Sequence, residues 1–288
     1  MKLGFIGIGR MGQGMAPRLL EAGHSLAVHD VRREACAAII DRGASWCDSP
    51  AQVVQHCDVL LSCLPGPAEV ATIYEGLQGI LSNAKPGLLL LEMSTISPQQ
   101  RRRLAQQCQA LGMRYLDAPI SNGVEPAARG ELTIMVGGER VDYEQALPIL
   151  QCLGNRLYLL GPAGSGNIAK IGNQMIYLSY VAAFCETMRL AREAGMDVNA
   201  MIDVMRHSVS GTPLMTKWEQ RLENGDRDGG FRVRRVLKDL ELGEEACREL
   251  GLDTPVFDAV LRTYRNSAEK GQAEYDMTVI YSAGSAKA

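Results

Sequence analysis

A lysine, an asparagine and a tyrosine stand at helical spacing in the middle of the chain, in a segment whose other positions are largely apolar. Lys170, Asn173 and Tyr177 follow a glycine-rich turn at 161–166 and fall at i, i+3 and i+7, which is one stripe of a helix. A partly desolvated lysine there can pass a proton to a developing alkoxide, while the asparagine orients the substrate oxygen. The alternative is a solvated lysine at a helix start.

A second glycine-rich turn lies near the N-terminus and reads Gly7, Ile8, Gly9, Arg10, Met11, Gly12. It follows a predicted strand and opens a predicted helix, which is the context of a dinucleotide-binding turn. The first glycine permits a sharp turn, the second admits a pyrophosphate, and the third lets the helix pack close to the sheet. The helix N-terminus then offers N–H groups to the phosphates. A tight turn that binds nothing is the alternative.

Charged residues after the second predicted strand bear on which dinucleotide is bound. Asp30 ends that strand, where an acid accepts hydrogen bonds from the adenine ribose and repels a 2′-phosphate, which favours NAD. Arg32 and Arg33 follow at once, and either guanidinium could bind a 2′-phosphate. A solvated face is the other interpretation of the two arginines. The sequence therefore predicts NAD or NADP and does not choose between them.

A polar loop after a later predicted strand is a candidate site for an anionic substrate. Ser121, Asn122 and Gly123 lie at the carboxyl end of that strand, where ligands bind in open α/β sheets. Their hydroxyl, amide and N–H groups can cradle a carboxylate. An ordinary polar loop is the alternative.

A basic segment near residue 235 is the third candidate. If it is helical, one face carries Phe231, Arg234 or Arg235, and Lys238. These arginines can face a substrate, but they can equally face solvent or a neighbouring subunit.

The elements that position these residues follow from the apolar pattern. Short apolar strands alternate with helices up to about residue 160, which predicts a parallel sheet covered on both faces. The predicted strands are 2–6, 26–29, 59–64, 88–91, 114–116, 132–136 and 156–160. Residues 167–195 lack proline and predict one helix of about 43 Å, followed by further helices. We predict a first domain over 1–162 and an all-α domain over 163–288, joined by this helix.

Composition limits the classes of function. With 46% hydrophobic and 22% charged residues the chain is a globular protein, and its net charge of −3 favours neither a nucleic-acid nor a membrane partner. Its eight cysteines and four histidines show no metal-ligand spacing, so we expect no metal. Strand-like residues begin by Leu3, which favours a cytoplasmic protein over a processed organellar one.

Motifs along the whole chain resemble those of the β-hydroxyacid dehydrogenase family. That family includes 3-hydroxyisobutyrate dehydrogenase and tartronate semialdehyde reductase and is related to 6-phosphogluconate dehydrogenase. The motifs occur in family order and are 4–12, 92–98, 117–123 with 130–138, 161–173 and 238–240.

The resemblance implies a fold, an activity and site residues. It implies a Rossmann-type doubly wound domain plus a helical domain, with hydride moved between a nicotinamide and a small anionic hydroxy acid. Lys170 would be the catalytic acid/base, supported by Asn173. Residues 121–123 would hold the substrate's acid group, and the cofactor would be contacted by Thr95, Lys238 and the loop at Leu64 and Pro65. With the length of the predicted helix, the resemblance also implies a homodimer or homotetramer.

Three departures from the family pattern are informative. Asn122 stands where a second glycine is usual, and Glu92 stands where aspartate is usual. Around Lys238 the family segment is mostly apolar, whereas this chain has Arg232, Arg234 and Arg235. The extra guanidiniums suggest a dianionic substrate such as a dicarboxylate, a phosphorylated acid or a phosphonate.

Three other activities remain as alternatives. Oxidative decarboxylation of the 6-phosphogluconate dehydrogenase type is the nearest. Imine reductases share the architecture but often replace the lysine, so Lys170 disfavours that activity. A non-catalytic dinucleotide-binding module is disfavoured for the same reason.

Overall fold

A computed structural model of the protein describes residues 1–224 and 230–282. The chain forms two compact units, Met1–Lys170 and Ile171–Ala288. The first unit combines strands and helices, and the described part of the second is helical. Within the described ranges, none of the helices combines the length and the apolar character needed to cross a membrane.

A six-stranded parallel sheet forms the centre of the first unit. Its strands are β1 (Lys2–Ile6), β2 (Ser25–His29), β3 (Ser45–Trp46), β4 (Val59–Ser62), β5 (Leu89–Glu92) and β6 (Arg114–Asp117). They are ordered β3-β2-β1-β4-β5-β6, and every pairing is parallel. The order reverses between β1 and β4, the position where open α/β sheets bind ligands. Separate apolar clusters cover the two faces, which confirms the predicted doubly wound sheet.

Seven helices surround this sheet and the small sheet beside it. They are α1 (Gly12–Glu21), α2 (Ala37–Ile40), α3 (Pro50–His56), α4 (Pro67–Glu75), α5 (Pro98–Ala110), α6 (Val124–Arg129) and α7 (Arg140–Leu153). The start of α5 is as the sequence predicts. The Ser97 hydroxyl accepts the Gln100 N–H at 3.2 Å, and Pro98 occupies the first turn.

A second sheet corrects one prediction. Strands β7 (Ile120–Ser121), β8 (Leu132–Val136) and β9 (Gly154–Leu159) form a separate three-stranded sheet, in which β7 and β8 are antiparallel. The sequence pattern had placed 132–136 and 156–160 in the one parallel sheet. That interpretation is wrong because β8 pairs with β7 and β9 and not with a strand of the six-stranded sheet. Only Ala118 and Pro119 separate β6 from β7, too few for the crossover of about a dozen residues that a parallel neighbour needs. The chain therefore leaves the first sheet at β7 and starts a second one.

Helix α8 (Ser165–Glu193) has 29 residues and spans the division between the units, as the absence of proline predicts. The second unit adds α9 (Val198–Arg206), α10 (Met215–Asn224), α11 (Val233–Glu249) and α12 (Pro255–Ser267). Its core includes Phe184, Trp218 and Tyr264, all at most 1% exposed. The predicted all-helical character of this part of the chain is confirmed for the residues described.

Candidate active site

The glycine turn after β1 has the backbone geometry that its sequence predicts. Gly7 has φ +97°, and a Cβ there would lie 2.3 Å from the Cys63 carbonyl oxygen. A Cβ on Gly12 would lie 2.4 Å from the Gly7 carbonyl oxygen, so α1 packs too close for a side chain. At Gly9, by contrast, no atom of the described residues other than its two chain neighbours lies within 4 Å of such a Cβ. The glycines therefore combine two tight approaches with one open side.

The start of α1 fits a phosphate group. Met11 is at the N-cap position and makes no side-chain capping bond. The first turn of a helix carries the positive end of its dipole. In α1 the N–H groups of Gln13 and Gly14 already donate to the carbonyl oxygens of Gly9 and Met11, at 2.9 and 3.0 Å. Together with the open space at Gly9, this arrangement can accept the pyrophosphate of a dinucleotide.

The charged residues after β2 adopt three different arrangements. The Asp30 Oδ1 atom accepts the backbone N–H of Arg32 at 3.0 Å, which orients the half-buried carboxylate. The Arg33 guanidinium lies 5.4 Å from the centre of the Trp46 ring, a cation–π contact. The Arg32 side chain is exposed. Stacking on Trp46 restricts the Arg33 guanidinium.

Glu92 joins the two loops that were predicted to contact a cofactor. It is fully buried at the end of β5, and its Oε2 atom accepts the hydroxyls of Ser62 at 2.6 Å and Tyr74 at 2.5 Å. Its Oε1 atom accepts the Ser94 N–H at 2.6 Å, and the Ser94 hydroxyl accepts the Leu64 N–H at 2.8 Å. The segments that contain Leu64–Pro65 and Thr95 are therefore tied together. In the sequence, Glu92 stands out only as a departure from the family pattern. A carboxylate that ends an all-leucine strand could also have indicated a buried polar network at this position.

Asp117 fixes the beginning of α8. It is fully buried at the end of β6, where its Oδ1 atom accepts the Gly164 N–H at 2.6 Å and its Oδ2 atom the Asn167 N–H at 2.8 Å. Burial raises the pKa of Asp117, while the positive charge of Arg101 and the N–H donors lower it. The carboxylate thus serves as a distant N-terminal cap of the helix that carries Lys170.

The loop at 121–123 has an unusual backbone. Asn122 has φ +93° and Gly123 has φ +89°, and Asn122 is the one non-glycine residue among those described with a positive φ. The Asn122 Nδ2 atom donates to the Glu131 carbonyl oxygen at 3.2 Å and to the Thr133 hydroxyl at 3.1 Å. These bonds hold its side-chain amide against β8. Ser121, which ends β7, is half-buried beside it.

Lys170 is buried, with 9% of its surface exposed, and it ends the first unit. Asn173, one turn later on the same helix, is exposed, and Tyr177 is half-buried. Burial raises the pKa of Tyr177, and its hydroxyl lies 3.8 Å from the sulfur of Met277. The three residues thus differ in environment, and only the lysine is buried.

A polar chain within the second unit includes Lys238. Its Nζ atom lies 2.9 Å from Asp239 Oδ1, and Asp239 Oδ2 accepts the Gln174 amide at 2.6 Å. The Gln174 Oε1 atom in turn accepts the Asn173 amide at 3.4 Å. Asn173 and Lys238 are therefore linked through two buried polar side chains that the sequence interpretation had not considered.

One part of the prediction for the basic segment is wrong. Phe231 does not share a helix face with Arg234 or Arg235 and Lys238. Helix α11 begins at Val233, so Phe231 lies before it. The cause is Asp276, which accepts the Phe231 N–H at 3.1 Å, and Arg232 forms a β-bridge with the same residue. Arg234 contacts Glu274 at 3.1 Å, and Arg235 is exposed.

Comparison with known proteins agrees with this geometry. Residues 2–161 match the family model of the NAD binding domain of 6-phosphogluconate dehydrogenase. Residues 164–283 match the model described as NAD-binding of NADP-dependent 3-hydroxyisobutyrate dehydrogenase.

Individual relatives match along nearly the whole chain. The NAD-dependent L-serine dehydrogenase of Pseudomonas aeruginosa is 35% identical, covering 97% of this chain and 96% of its own. The 2-(hydroxymethyl)glutarate dehydrogenase of Eubacterium barkeri is 31% identical, with 97% and 93% covered. The structure of Mycobacterium tuberculosis 3-hydroxyisobutyrate dehydrogenase with L-serine superimposes with a TM-score of 0.89 at 27% identity, covering 99% and 100%. The chain therefore belongs to the family of NAD(P)-dependent β-hydroxyacid dehydrogenases.

Proposed function

We propose that the protein reversibly oxidises a small anionic hydroxy acid, with Lys170 as the proton donor and acceptor. The observation that carries the proposal is the burial of this lysine one turn after a helix start that Asp117 caps. An ammonium group in that position is partly desolvated, which suits transfer of a proton to and from a hydroxyl oxygen. A bound dinucleotide supplies or accepts the hydride.

The proposed roles of the other residues follow from their chemistry. The turn at 7–12 holds the pyrophosphate, and the segments of Leu64–Pro65 and Thr95 border the nicotinamide half. The loop at 121–123 holds the substrate's acid group, with Asn173 supporting the lysine. The first 162 residues then form the dinucleotide-binding domain, and residues 163–288 form the domain for substrate binding and dimerisation.

Replacement of Lys170 by Ala tests the assignment. We expect kcat to fall by about 10²–10⁴-fold, the usual contribution of a general acid or base, while the dinucleotide still binds. Lys85→Ala is the matched control, because this half-buried lysine of the same unit donates to the Cys57 carbonyl oxygen at 2.7 Å and has no proposed role in catalysis. A Lys170→Ala protein with near-normal kcat would remove the assignment. Release of labelled carbon dioxide from the substrate would point to oxidative decarboxylation instead.

For the cofactor we propose a preference for NAD. Support comes from Asp30, whose carboxylate is held at the end of β2, and from Arg33, which stacks on Trp46. We expect kcat/KM to be higher with NAD⁺ than with NADP⁺, and Asp30→Ser to reduce this preference for NAD⁺. A preference for NADP⁺ that disappears in Arg32→Ala would assign the 2′-phosphate to Arg32 and reject the proposal.

A second anionic group on the substrate is a further part of the proposal. Arg232 and Arg234 both contact Glu274, at 2.7 and 3.1 Å, so one carboxylate serves two guanidiniums and leaves the segment positive. The name of the relative from Eubacterium barkeri describes a dicarboxylate substrate. Replacing Arg234 and Arg235 by Ala should therefore reduce turnover of dianionic more than of monoanionic hydroxy acids. Equal effects on both classes would reject a second anionic group on the substrate.

We also propose that the protein is a homodimer or homotetramer. Support comes from apolar side chains on α8 that are largely exposed in the single chain, Ile176 at 76% and Leu190 at 69%. A groove of about 460 Å³ between α8 and α12 is lined mainly by small and apolar residues, among them Ala183 and Val256, together with Glu186. Sedimentation at micromolar concentration should give a mass of at least twice 31.3 kDa, and a stable monomer would contradict the proposal.

A further inference from the structure

One arginine of the first unit is buried where a charged side chain is rarely found. Arg101 lies on the face of α5 that also buries Leu104 and Cys108, and its side chain is fully inaccessible. Burying a guanidinium is unfavourable unless hydrogen bonds and opposite charges compensate for the lost water. The carboxylates of Glu92 and Asp117 supply those charges.

The guanidinium of Arg101 connects three separate segments. Its Nη2 atom donates to the Ser94 carbonyl oxygen at 2.8 Å and to the Asn167 side-chain oxygen at 3.1 Å. Its Nη1 atom donates to the Tyr115 hydroxyl at 3.0 Å. One rigid fork therefore holds the loop after β5, strand β6 and the first turn of α8 at fixed separations.

Asn167 receives this contact and adds two of its own. It is fully buried, its Nδ2 atom donates to the Ile96 carbonyl oxygen, and its N–H donates to Asp117. Asn167 thus binds the segment 94–96 twice, once directly and once through Arg101. The segment between these two attachment points contains Thr95.

Lys170 follows Asn167 by three residues on α8. This spacing corresponds to a rise of about 4.5 Å and places the two side chains on neighbouring positions of one helix face. First turns of helices lack internal partners for their N–H groups and are held by whatever caps them. Here the Asp117 cap and the contacts made by Arg101 and Asn167 both act on the turn that precedes the lysine.

We propose that Arg101 and Asn167 form a clamp that positions Lys170 relative to the segment 94–96. The inference rests on the proposed function, because it assigns the clamp a role in placing the proton donor. Arg101 and Asn167 are positioning residues: they act through the helix start and through the loop that contains Thr95. The clamp explains why an arginine stands at a position on α5 where the helix pattern calls for an apolar side chain.

The test compares the two arms of the same guanidinium. Asn167→Ala removes the hydrogen bond from Arg101 Nη2 to α8. Tyr115→Phe removes the hydrogen bond from Arg101 Nη1 to β6 and leaves the bond to Asn167 intact. Replacing Arg101 itself would remove both hydrogen bonds and leave a cavity in the core, so this pair of variants is more informative. For each, kcat, the KM for substrate, the dissociation constants of NADH and NADPH, the melting temperature and amide hydrogen exchange over 164–170 are measured.

For Asn167→Ala we expect kcat to fall at least ~10-fold, with dinucleotide affinity changed less than ~3-fold, because displacing a reacting group by a fraction of an ångström reduces turnover more than binding. Exchange over 164–170 should accelerate. In Tyr115→Phe the melting temperature should fall, but kcat should stay within ~3-fold and exchange over 164–170 should not change.

Two results would overturn the clamp. One is a kcat of Asn167→Ala within ~3-fold of the parent, and the other is a loss of kcat in Tyr115→Phe equal to that in Asn167→Ala. Failure of the proposed function gives a different result, since Lys170→Ala would then retain its kcat. In that case hydrogen exchange decides alone: equal protection of 164–170 in both variants would refute the clamp.

Discussion

Replacing Gly166 by alanine should displace the start of α8. A Cβ at this position would lie 2.1 Å from the Met135 carbonyl oxygen and 2.9 Å from Asp117 Oδ2. Both neighbours are constrained, because Met135 belongs to β8 and Asp117 caps the helix. Relief of the overlap therefore requires the first turn of α8 to move away by about 1 Å.

The size of the effect follows from these contacts. Overpacking a close-fitting site costs about 1–3 kcal/mol, and weakening the two bonds to the Asp117 carboxylate adds about 1 kcal/mol. We therefore expect Gly166→Ala to lower the free energy of unfolding of the first unit by about 3 kcal/mol. For a unit of this size the melting temperature would fall by about 6–12 °C. A 1 Å displacement of Lys170 would reduce kcat by about 10²-fold.

Gly172→Ala is the matched control on the same helix. At Gly172, apart from its two chain neighbours and the adjacent backbone of its own helix, no atom of the described residues lies within 4 Å of an added Cβ. Alanine should there stabilise the helix by about 0.5–1 kcal/mol and leave kcat unchanged. Scanning calorimetry and steady-state kinetics on both variants provide the comparison. If Gly166→Ala melts and turns over as Gly172→Ala does, the close approach of α8 to β8 does not constrain the lysine.

Three further predictions follow from single contacts. Asn122→Gly removes the strain of a positive φ but also two exposed hydrogen bonds, so the free energy of unfolding should change by less than about 1 kcal/mol. A loss above about 2 kcal/mol in urea unfolding would show that the strain and the hydrogen bonds do not offset each other. Ser97→Ala should cost about 1 kcal/mol by removing the cap of α5, and Ser97→Asp should restore most of it; no difference between the two in urea unfolding would count against the cap. Burial raises the pKa of Cys57 to about 12, so at pH 8 iodoacetamide should label the half-buried Cys63 well before Cys57. Equal labelling rates of the two cysteines, measured by peptide mass spectrometry, would disprove this prediction.

The sequence alone was sufficient for features that depend on neighbouring residues. Alternating apolar strands and helices predicted the doubly wound sheet, and the absence of proline predicted the 29-residue helix α8. Gly7 was assigned to a sharp turn and Gly12 to close packing of the helix, and the structure has the close backbone approaches that require glycine at both. Ser97 followed by Pro98 predicted the start of α5. Each of these signals is local, because backbone conformation and periodic burial are set within one or two turns of chain.

Only the tertiary structure decided which polar groups are buried and what they contact. Asp117 caps a distant helix by accepting an N–H from Gly164, 47 residues later, and Asn167 binds a carbonyl 71 residues away. Arg101 is the first of three consecutive arginines, and its spacing to Leu104 and Cys108 places it on the buried face of α5, whereas Arg102 is exposed. This spacing does not show which distant groups compensate for the buried charge. A buried charge is tolerated only where several distant partners converge on it. Such convergence is a property of how the elements pack, and for that reason the network behind Lys170 could not be predicted from residue order.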